Sequence, residues 1–526
     1  MTKKIIYYPF LFVLYLILNL VITNQDQLDP TLAFSPLSIL LLSTAVGIIV
    51  FFLILKDWHY AGYLVFLVLV FLFVFGHVSR GIMDWFPKQR QMLRLGLLII
   101  WWLLIILLAL KKTWLAFGAG SRVTPILNGF LTLAFAIQLL LGLGAWIQDS
   151  MRRSELTGSP IPWDKKESQI SLDCQNRPDI YYIIVDGYGR EDVLREIYGI
   201  DTSAFLGFLQ EKGFHVIDQA HSNYTQTVYS LSSSLNLNYI GSKPEELSPQ
   251  KYFSSMIVNN WLIELLEQCD YRTISIETGF FYTNRLKVDT YLTKGPRLNE
   301  FAALLLSGSP IDVLAQQFMS RPGAGAISYQ SHRDWISFNF ESLDEIPAMP
   351  GPKFVFSHIL APHPPFVFDA NGGSVEPNRD YRILDGSSFA GDWDEYRTGY
   401  NAQVQFIDKM LERTIDAILK KSSTPPIIII QGDHGPGGLL DWESVENTCL
   451  WERTSILNAY YLPDGGSALL YPEITPVNSF RIILDYYLGA DLALLPDRTA
   501  FSSFALDQPI IDITSERDSK VNCSSQ

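Results

Sequence analysis

The sequence predicts a multi-pass α-helical membrane domain followed by an α/β domain with a mainly parallel central sheet covered by helices. Five long apolar runs without Asp, Glu, Lys or Arg fall within the first 150 residues. Beyond residue 178, short β-type runs alternate with stretches of helical spacing, which is typical of a parallel sheet with helices on both faces. The length of 526 residues suits two or three domains. We expect a membrane domain over 1–150, a linker over 151–177 and a second domain over 178–526.

The distribution of charge divides the chain in the same way. Residues 1–150 contain 10 basic and 5 acidic residues, whereas residues 151–526 contain 30 and 49, and the whole chain has a net charge of -14. A mean hydropathy of +0.15 excludes an ordinary soluble globular protein. The acidic second part disfavours nucleic acid as a partner, because phosphate contacts need clustered Lys and Arg.

Each apolar run suits one membrane crossing, since a helix needs about 20 residues to span about 30 Å of hydrocarbon. No small-residue cleavage site follows the first run, which argues against a signal peptide. The absence of charge within the runs argues against an ion or proton transporter and indicates an anchor that can also present a lipid. The predicted spans are Ile5–Ile22, Leu37–Leu55, Ala61–Val78, Leu95–Leu110 and Val123–Ile147.

The orientation of the predicted spans rests on the first one. The flanks of the spans carry six Lys or Arg residues on each side, so the positive-inside rule does not decide. Lys3 and Lys4 precede the first span, and Asp26 and Asp29 follow it, which favours an N-terminus inside the cytoplasm. Five spans then place the second domain outside. We expect a multi-pass cell-membrane protein with its second domain outside the cytoplasm.

All four cysteines lie in the second part of the chain, at positions 174, 269, 449 and 523. None has CxxC spacing, which argues against a thiolate zinc site. One or two disulfides outside the cytoplasm and buried free thiols are both consistent with this pattern.

The second part contains six predicted strands and three predicted helices. Residues 297–350 resemble an insertion whose role the sequence does not reveal. The strands are Ile180–Val185, Phe214–Ile217, Thr273–Ile276, Phe354–Ile359, Ile427–Ile430 and Ala459–Leu462. The helices are Thr202–Glu211, Trp261–Gln268 and Asn401–Lys420, the last with apolar residues at three- and four-residue steps.

Polar side chains follow two of these strands, and ligands of open α/β sheets bind beyond the carboxyl ends of strands. Asp186 follows Ile180–Val185, and Asp433 and His434 follow Ile427–Ile430. Neighbouring carboxylates and an imidazole suit a divalent transition metal. The alternative interpretation is a pair of glycine-containing turns with a structural aspartate and a hydrogen-bonded histidine.

A stretch with two threonines, Thr225 and Thr227, leads into a further predicted helix. A hydroxyl at a helix N-terminus meets free N–H groups and the positive end of the helix dipole, which can hold an oxyanion. Metal coordination would lower the pKa of such a hydroxyl and make it a nucleophile, and Thr225 and Thr227 are the two candidates. An ordinary N-cap is the alternative role for either threonine.

The strand Phe354–Ile359 leads into a loop whose prolines stiffen the backbone around His363. An imidazole fixed in this way can donate to a phosphate oxygen or protonate a leaving alkoxide. His358, within the same strand, is the second candidate. The alternative is a rigid loop that carries a surface histidine.

Taken in order, these motifs resemble the alkaline phosphatase superfamily. They are most similar to its membrane-anchored sulfatase-like group, which includes lipoteichoic acid synthases and phosphoglycerol and phosphoethanolamine transferases. The resemblance covers Pro178 to about Asp497, and the membrane spans match the lipoteichoic acid synthase layout. It implies an alkaline-phosphatase-like fold, one divalent metal ion (Mn, Mg or Zn), a Thr227 nucleophile, and substrate binding by His363 with His358 as the second candidate. The implied metal ligands are Asp186, Thr227, Asp433 and His434.

The sequence departs from two branches of this superfamily. Sulfatases that form formylglycine carry Cys or Ser in a C/S-x-P-x-R motif, whereas Thr227 cannot be converted and no Pro or Arg follows in place. None of the eight histidines follows His434, which makes a second metal site with a late histidine hard to build. Both departures favour the single-metal transferase branch.

The resemblance therefore implies metal-dependent phosphoryl-group transfer by a threonine nucleophile at the outer membrane–water interface. The expected partners are the lipid membrane, an anionic phosphodiester or sulfate ester such as a lipid head group, and a glycan or alcohol acceptor. Two alternatives remain open. One is a sulfatase-like hydrolase of the same fold, such as a phosphodiesterase, a phosphatase or an atypical sulfatase. The other is a non-catalytic envelope protein.

Overall fold

The computed structural model describes most of the chain. By internal contacts the chain divides into a membrane-helix unit, Met1–Gly158 with Pro296–Ile327, and a sheet unit, Ser159–Gly295 with Ser328–Gln526. Most of the predicted linker lies outside the described residues, and the bounds of the three predicted segments remain predictions. The described residues are 5–24, 30–83, 90–116, 119–155, 170–240, 249–294, 300–306, 309–311, 313–314, 328–377, 379, 381–506 and 508–524.

The elements are numbered in chain order. The helices are α1 Tyr8–Thr23, α2 Phe34–Leu55, α3 Trp58–Met83, α4 Arg90–Ala109, α5 Lys111–Ala116, α6 Ala119–Glu155, α7 Glu191–Val193, α8 Ser203–Glu211, α9 Thr227–Leu235, α10 Pro249–Val258, α11 Trp261–Gln268, α12 Glu300–Leu306, α13 Tyr329–Glu345, α14 Trp393–Lys421, α15 Leu450–Thr454 and α16 Pro476–Leu488. The strands are β1 Ile180–Val185, β2 His215–Val216, β3 Arg272–Ile276, β4 Thr290–Leu292, β5 Lys353–Ile359, β6 Ile427–Gln431, β7 Asn458–Tyr461, β8 Ala500–Phe501 and β9 Ile511–Asp512.

Helices form at all five predicted apolar runs. Within the described residues, the stretches Thr31–Leu55, Trp58–Gly76 and Arg122–Gly144 are long and apolar enough to cross a membrane. Helix α1 and the stretch Leu95–Ala109 are apolar but shorter. A helix satisfies its own backbone hydrogen bonds, as a bilayer requires. The chain is therefore a membrane protein, and the number of crossings remains a prediction.

Helix α1 is fixed to α6 by one asparagine. The Tyr8 N–H donates to Asn128 Oδ1 at 3.0 Å, and Asn128 Nδ2 donates to the Ile5 carbonyl at 2.8 Å. The first N–H groups of a helix lack partners within the helix, and Asn128 satisfies one of them. In an apolar setting this contact both caps α1 and holds it against its neighbour.

The sheet unit contains a seven-stranded sheet in the order β2-β7-β6-β1-β5-β3-β4. Strand β1 lies parallel to both of its neighbours, β5 and β6, and β3 is parallel to β5 and β4. Strand β7 runs antiparallel to β6 and β2. The predicted mainly parallel sheet is thus confirmed, with one antiparallel strand near an edge.

Both faces of β1 are buried. Tyr181, Ile183 and Val185 belong to one apolar core, while Tyr182 and Ile184 belong to the core on the opposite face. Helices α13 and α14 contribute to the first core, and α9, α11 and α16 contribute to the second. A strand buried on both sides is a continuous apolar run, which is why the sequence shows no alternation here. The parallel strands end at one edge of the sheet.

The four cysteines form two disulfides, Cys174–Cys269 and Cys449–Cys523. The second disulfide starts at the residue that precedes α15, where the Cys449 sulfur accepts the Glu452 N–H at 3.3 Å. The C-terminal segment is therefore covalently joined to the start of this helix.

Candidate active site

Asp186, Asp433 and His434 meet at the carboxyl ends of two neighbouring strands. Strand β1 ends one residue before Asp186, and β6 ends two residues before Asp433. One ligand atom from each of the three residues lies within 4.8 Å of the others, and all three are buried. The Nε2 atom of His434 is 3.5 Å from Asp186 Oδ1 and 3.3 Å from Asp433 Oδ2. The structure therefore brings together three of the predicted metal ligands.

Thr227 is the first residue of α9 and supplies the fourth predicted ligand. Its hydroxyl oxygen lies 3.0 Å from His434 Nε2. The Thr225 hydroxyl, in contrast, accepts the N–H of Ser502 at 2.9 Å and is fully buried. Of the two candidate threonines, only Thr227 contacts His434 among the described residues.

The cluster contains two carboxylates beside one imidazole, an excess of negative charge that a cation would offset. Burial, reinforced by the charge of Asp433, raises the pKa of Asp186 well above its usual value. Among the described residues, Asp186 Oδ1 and Asp433 Oδ2 are buried without a hydrogen-bond partner. Buried polar atoms rarely remain unpaired, and two carboxylates with an imidazole are a common donor set for a divalent metal. The residues present thus fit a metal ion.

His358 lies behind Asp186 and is fully buried. Its Nε2 is 3.1 Å from Asp186 Oδ2, and its Nδ1 is 3.2 Å from the Thr283 hydroxyl. Burial lowers the pKa of His358 to about 4, which favours the neutral ring. Contacts like the one with Asp186 orient metal ligands. This geometry favours an orienting role over the predicted substrate contact, which remains untested.

His363 follows β5 and lies beside the cluster. Its backbone N–H donates to the Asp186 carbonyl at 3.0 Å, and its ring centroid is 6.2 Å from that of His434. The ring Nδ1 contacts the Pro364 carbonyl, and Nε2 lies 3.8 Å from Asp385 Oδ2. The imidazole is thus held beside the predicted metal ligands, and its role in substrate binding remains a prediction.

Arg453 joins three segments of the site and is fully buried. Its Nε donates to the Thr225 carbonyl at 2.8 Å, and its Nη1 donates to the Gly435 carbonyl at 3.0 Å. The same Nη1 donates to Asp385 Oδ2 at 2.8 Å. One guanidinium therefore ties the nucleophile segment, the His434 loop and the carboxylate near His363 together.

Asp385 was missed by the sequence reasoning. It lies in an irregular connection between β5 and α14, where no motif marks it. Burial alone would raise its pKa, but the charges of Arg453 and His363 outweigh burial and lower it to about 2. Asp385 is therefore ionised and pairs with Arg453.

We expect Arg453→Lys to lower kcat on the order of 10²-fold, with a much smaller change in KM, because small misplacements of catalytic groups carry costs of this size. A lysine ammonium lacks the planar, fixed donor geometry of a guanidinium, so it cannot hold all three hydrogen bonds that join the three segments. Steady-state kinetics on a soluble phosphodiester, together with the thermal unfolding midpoint, would measure both effects.

Arg481→Lys is the matched control. Arg481 is equally buried and donates to the carbonyls of Leu237 and Ala493, outside the site. We expect this variant to lose thermal stability with kcat unchanged. Equal losses of kcat in both variants would show that Arg453 acts through general stability alone.

The family model for sulfatases matches residues 178–480, more than half of the chain and the whole of the site described above. No curated protein matches the chain.

Solved structures that are similar to the chain include the following three. The C-terminal periplasmic domain of EcEptC from Escherichia coli, in complex with Zn, is 12% identical over 68% of this chain and 98% of that chain, with a TM-score of 0.43. The lipooligosaccharide phosphoethanolamine transferase A (EptA) from Neisseria meningitidis is 11% identical over 91% and 94%, with a TM-score of 0.40. An alkaline phosphatase superfamily protein from Vibrio parahaemolyticus is 13% identical over 65% and 78%, with a TM-score of 0.40.

The family match covers the whole strand-end cluster. It begins two residues before β1 and spans the segments that carry Asp186, Thr227, His363, Asp433 and His434. The chain therefore belongs to the sulfatase family.

Proposed function

We propose that this protein is a metal-dependent phosphoryl-group transferase of the phosphoglycerol or phosphoethanolamine type, with Thr227 as its nucleophile. One observation carries the proposal. The Thr227 hydroxyl lies 3.0 Å from His434 Nε2, beside two buried carboxylates whose facing oxygens have no hydrogen-bond partner among the described residues. A hydroxyl at a helix N-terminus is also well placed for attack on an anionic centre.

Asp186, Thr227, Asp433 and His434 would hold one divalent ion, Mn, Mg or Zn. The bound ion would act as a Lewis acid that lowers the pKa of the Thr227 hydroxyl and offsets charge on the phosphoryl oxygens. Imidazole disfavours calcium, which prefers oxygen ligands. The side chains of Thr227 and His363 carry out the bond-forming and proton-transfer steps.

The reaction consists of two displacements at phosphorus. In the first, the Thr227 oxygen loses its proton to solvent and attacks the phosphorus of a phosphodiester. The bond to the leaving alcohol breaks, His363 protonates that alcohol, and a phospho-threonine ester remains. In the second, an acceptor hydroxyl attacks the same phosphorus and gives its proton to His363, while Thr227 regains a proton from solvent. Such transfer depends mainly on positioning and electrostatic stabilisation.

The proposed substrate class rests on the membrane anchor. A membrane-bound enzyme meets lipid head groups at high local concentration, so an anionic lipid phosphodiester is the donor and a glycan or another alcohol is the acceptor. The two disulfides support a location of the sheet unit outside the cytoplasm, since disulfides persist in oxidising compartments. The reaction would then take place at the outer membrane–water interface.

The proposal is tested by trapping the covalent intermediate. The full-length protein in detergent is incubated with phosphatidylglycerol or phosphatidylethanolamine, quenched in acid, and digested for mass spectrometry. We expect a phosphoglycerol or phosphoethanolamine adduct that fragmentation localises to Thr227 and not to Thr225. Addition of a glycan acceptor should discharge the adduct onto the glycan.

The other outcomes identify the alternative functions. Discharge to water at the same rate with and without acceptor would make the protein a hydrolase of the same fold. Absence of both adduct and product, with metal-loaded and folded protein, would contradict the proposal and favour a non-catalytic envelope protein.

A further inference from the structure

A segment from the middle of the sulfatase match groups with the membrane helices. Residues 296–327 lie within the match to 178–480, yet by contacts they belong to the membrane-helix unit. The chain therefore passes between the two units three times, at 158–159, 295–296 and 327–328. The described part of this excursion includes helix α12 and residues up to 314.

Two buried side chains anchor the excursion. Phe301 is fully buried in the apolar cluster that includes Phe12 of α1 and Leu69 of α3. Val313 is buried in a second cluster with Phe75 of α3 and Leu98 of α4. Helix α12 also packs against the short turn Pro30–Ala33 that leads into α2.

The contact of α12 with the turn Pro30–Ala33 and the cluster of Val313 with Phe75 and Leu98 lie at one end of the helices. Consecutive helices joined by short connections run antiparallel, so the start of α2, the end of α3 and the start of α4 lie at the same end. The turn Pro30–Ala33 precedes α2, and Phe75 and Leu98 lie in the halves of α3 and α4 that face their connection. The excursion is therefore located at this end of the helices.

The backbone of the excursion forms its own hydrogen bonds. The Ser309 N–H donates to the Leu306 carbonyl at 2.9 Å, and the Val313 N–H donates to the Ser309 carbonyl at 3.0 Å. Satisfied backbone groups are a requirement for any segment that enters an apolar phase. This arrangement is compatible with partial immersion in lipid.

In the described part of the excursion, the exposed side chains are apolar. Leu304, Ile311 and Leu314 are 38%, 49% and 40% exposed, comparable to Val78 and Ile82 near the end of α3 at 40% and 37%. In water, such a set of exposed aliphatic groups would be unfavourable by about 25 cal/mol for each Å². Membrane helices expose similar side chains because lipid covers them.

We propose that the described stretches 300–306, 309–311 and 313–314 belong to a membrane-embedded element whose outward side chains, Leu304, Ile311 and Leu314, contact phospholipid acyl chains. The occupant is lipid because this face continues the exposed apolar surface of the membrane helices to which Phe301 and Val313 anchor it. The inference does not depend on the proposed catalysis. It assigns part of the sulfatase-matched sequence to the membrane.

The test uses spin labels on the full-length protein in phosphatidylcholine vesicles. All four cysteines are in disulfides, so Ile311→Cys supplies a single labelling site. Collisions with oxygen, which concentrates in lipid, are compared with collisions with a water-soluble nickel chelate. Leu140→Cys on α6, where the native side chain is 68% exposed, is the lipid control. Val375→Cys in the sheet unit, 37% exposed in the native protein, is the water control.

We expect the ratio of oxygen collisions to nickel-chelate collisions at position 311 to equal the ratio at position 140. A ratio equal to that of position 375 would overturn the proposal, because the face would then be in water. Protection from both reagents would also overturn it, since protein would then cover the face. Leu304→Cys and Leu314→Cys repeat the measurement in case a label at 311 disturbs the segment.

Discussion

Thr227→Ala is expected to lower kcat/KM for a phosphodiester on the order of 10⁴-fold or more, because loss of a nucleophile removes the covalent route entirely. The thermal unfolding midpoint should change little. No side-chain capping bond is made by Gln226, which precedes α9, and the Thr227 hydroxyl contacts His434 rather than the helix backbone. Alanine is favourable within helices, so the helix itself should be retained. Steady-state kinetics and thermal unfolding of the purified protein measure the two effects.

Thr227→Ser is the control for this prediction. It keeps a hydroxyl at the same position and should retain measurable turnover and the covalent adduct. Full activity of Thr227→Ala would assign the nucleophile to another group. If the alanine variant loses much thermal stability, its low activity no longer identifies the nucleophile. The position of the covalent adduct in the wild-type protein then decides the assignment.

Asp433→Asn is expected to lower metal affinity and to reduce activity at limiting metal on the order of 10³-fold, in the range attributed to a positioned metal ion. The wild-type protein should lose activity with a chelator and regain it with Mn, Mg or Zn. The fold should survive the substitution, because an asparagine carbonyl can still accept the Gly187 N–H that Asp433 Oδ1 accepts at 3.1 Å. Metal content by mass spectrometry and activity titrated against metal measure the change.

Asp497→Asn is the matched control for the metal prediction. Asp497 is a partly buried carboxylate that accepts hydrogen bonds from Thr475 and Tyr471, outside the cluster. This variant should keep the metal titration of the wild-type protein. Chelator-resistant activity in the wild-type protein would contradict a metal-dependent mechanism.

The parallel core of the sheet was predictable because burial on both faces leaves a plain sequence pattern. Strand β1 has the predicted bounds, and β5 and β6 differ by one residue each. Strand β4 was missed because three half-buried residues, Thr290–Leu292, carry too little pattern. Helix α14 begins eight residues before its predicted start, since its first turns carry aromatic residues, Trp393, Tyr396 and Tyr400, instead of the aliphatic residues on which the prediction relied.

The site was predictable where its residues follow strands. Asp186 directly follows one apolar run, and Asp433 and His434 follow another after two residues, so the strand ends alone place them near one another. The choice between Thr225 and Thr227 depended on which hydroxyl faces the cluster, which is a matter of side-chain contacts. Arg453 and Asp385 owe their positions to tertiary contacts between distant segments, and no local spacing encodes such contacts.

The three passages of the chain between its units determine how an isolated enzyme fragment would behave. A fragment that starts at residue 178 loses the helices that cover Phe301 and Val313, and these side chains would then meet water. Exposed aliphatic surface of this kind promotes aggregation during expression. Solubility would therefore require excision of residues 296–327 as well, with a flexible peptide joining 295 to 328, so that the gene is edited at two places instead of one.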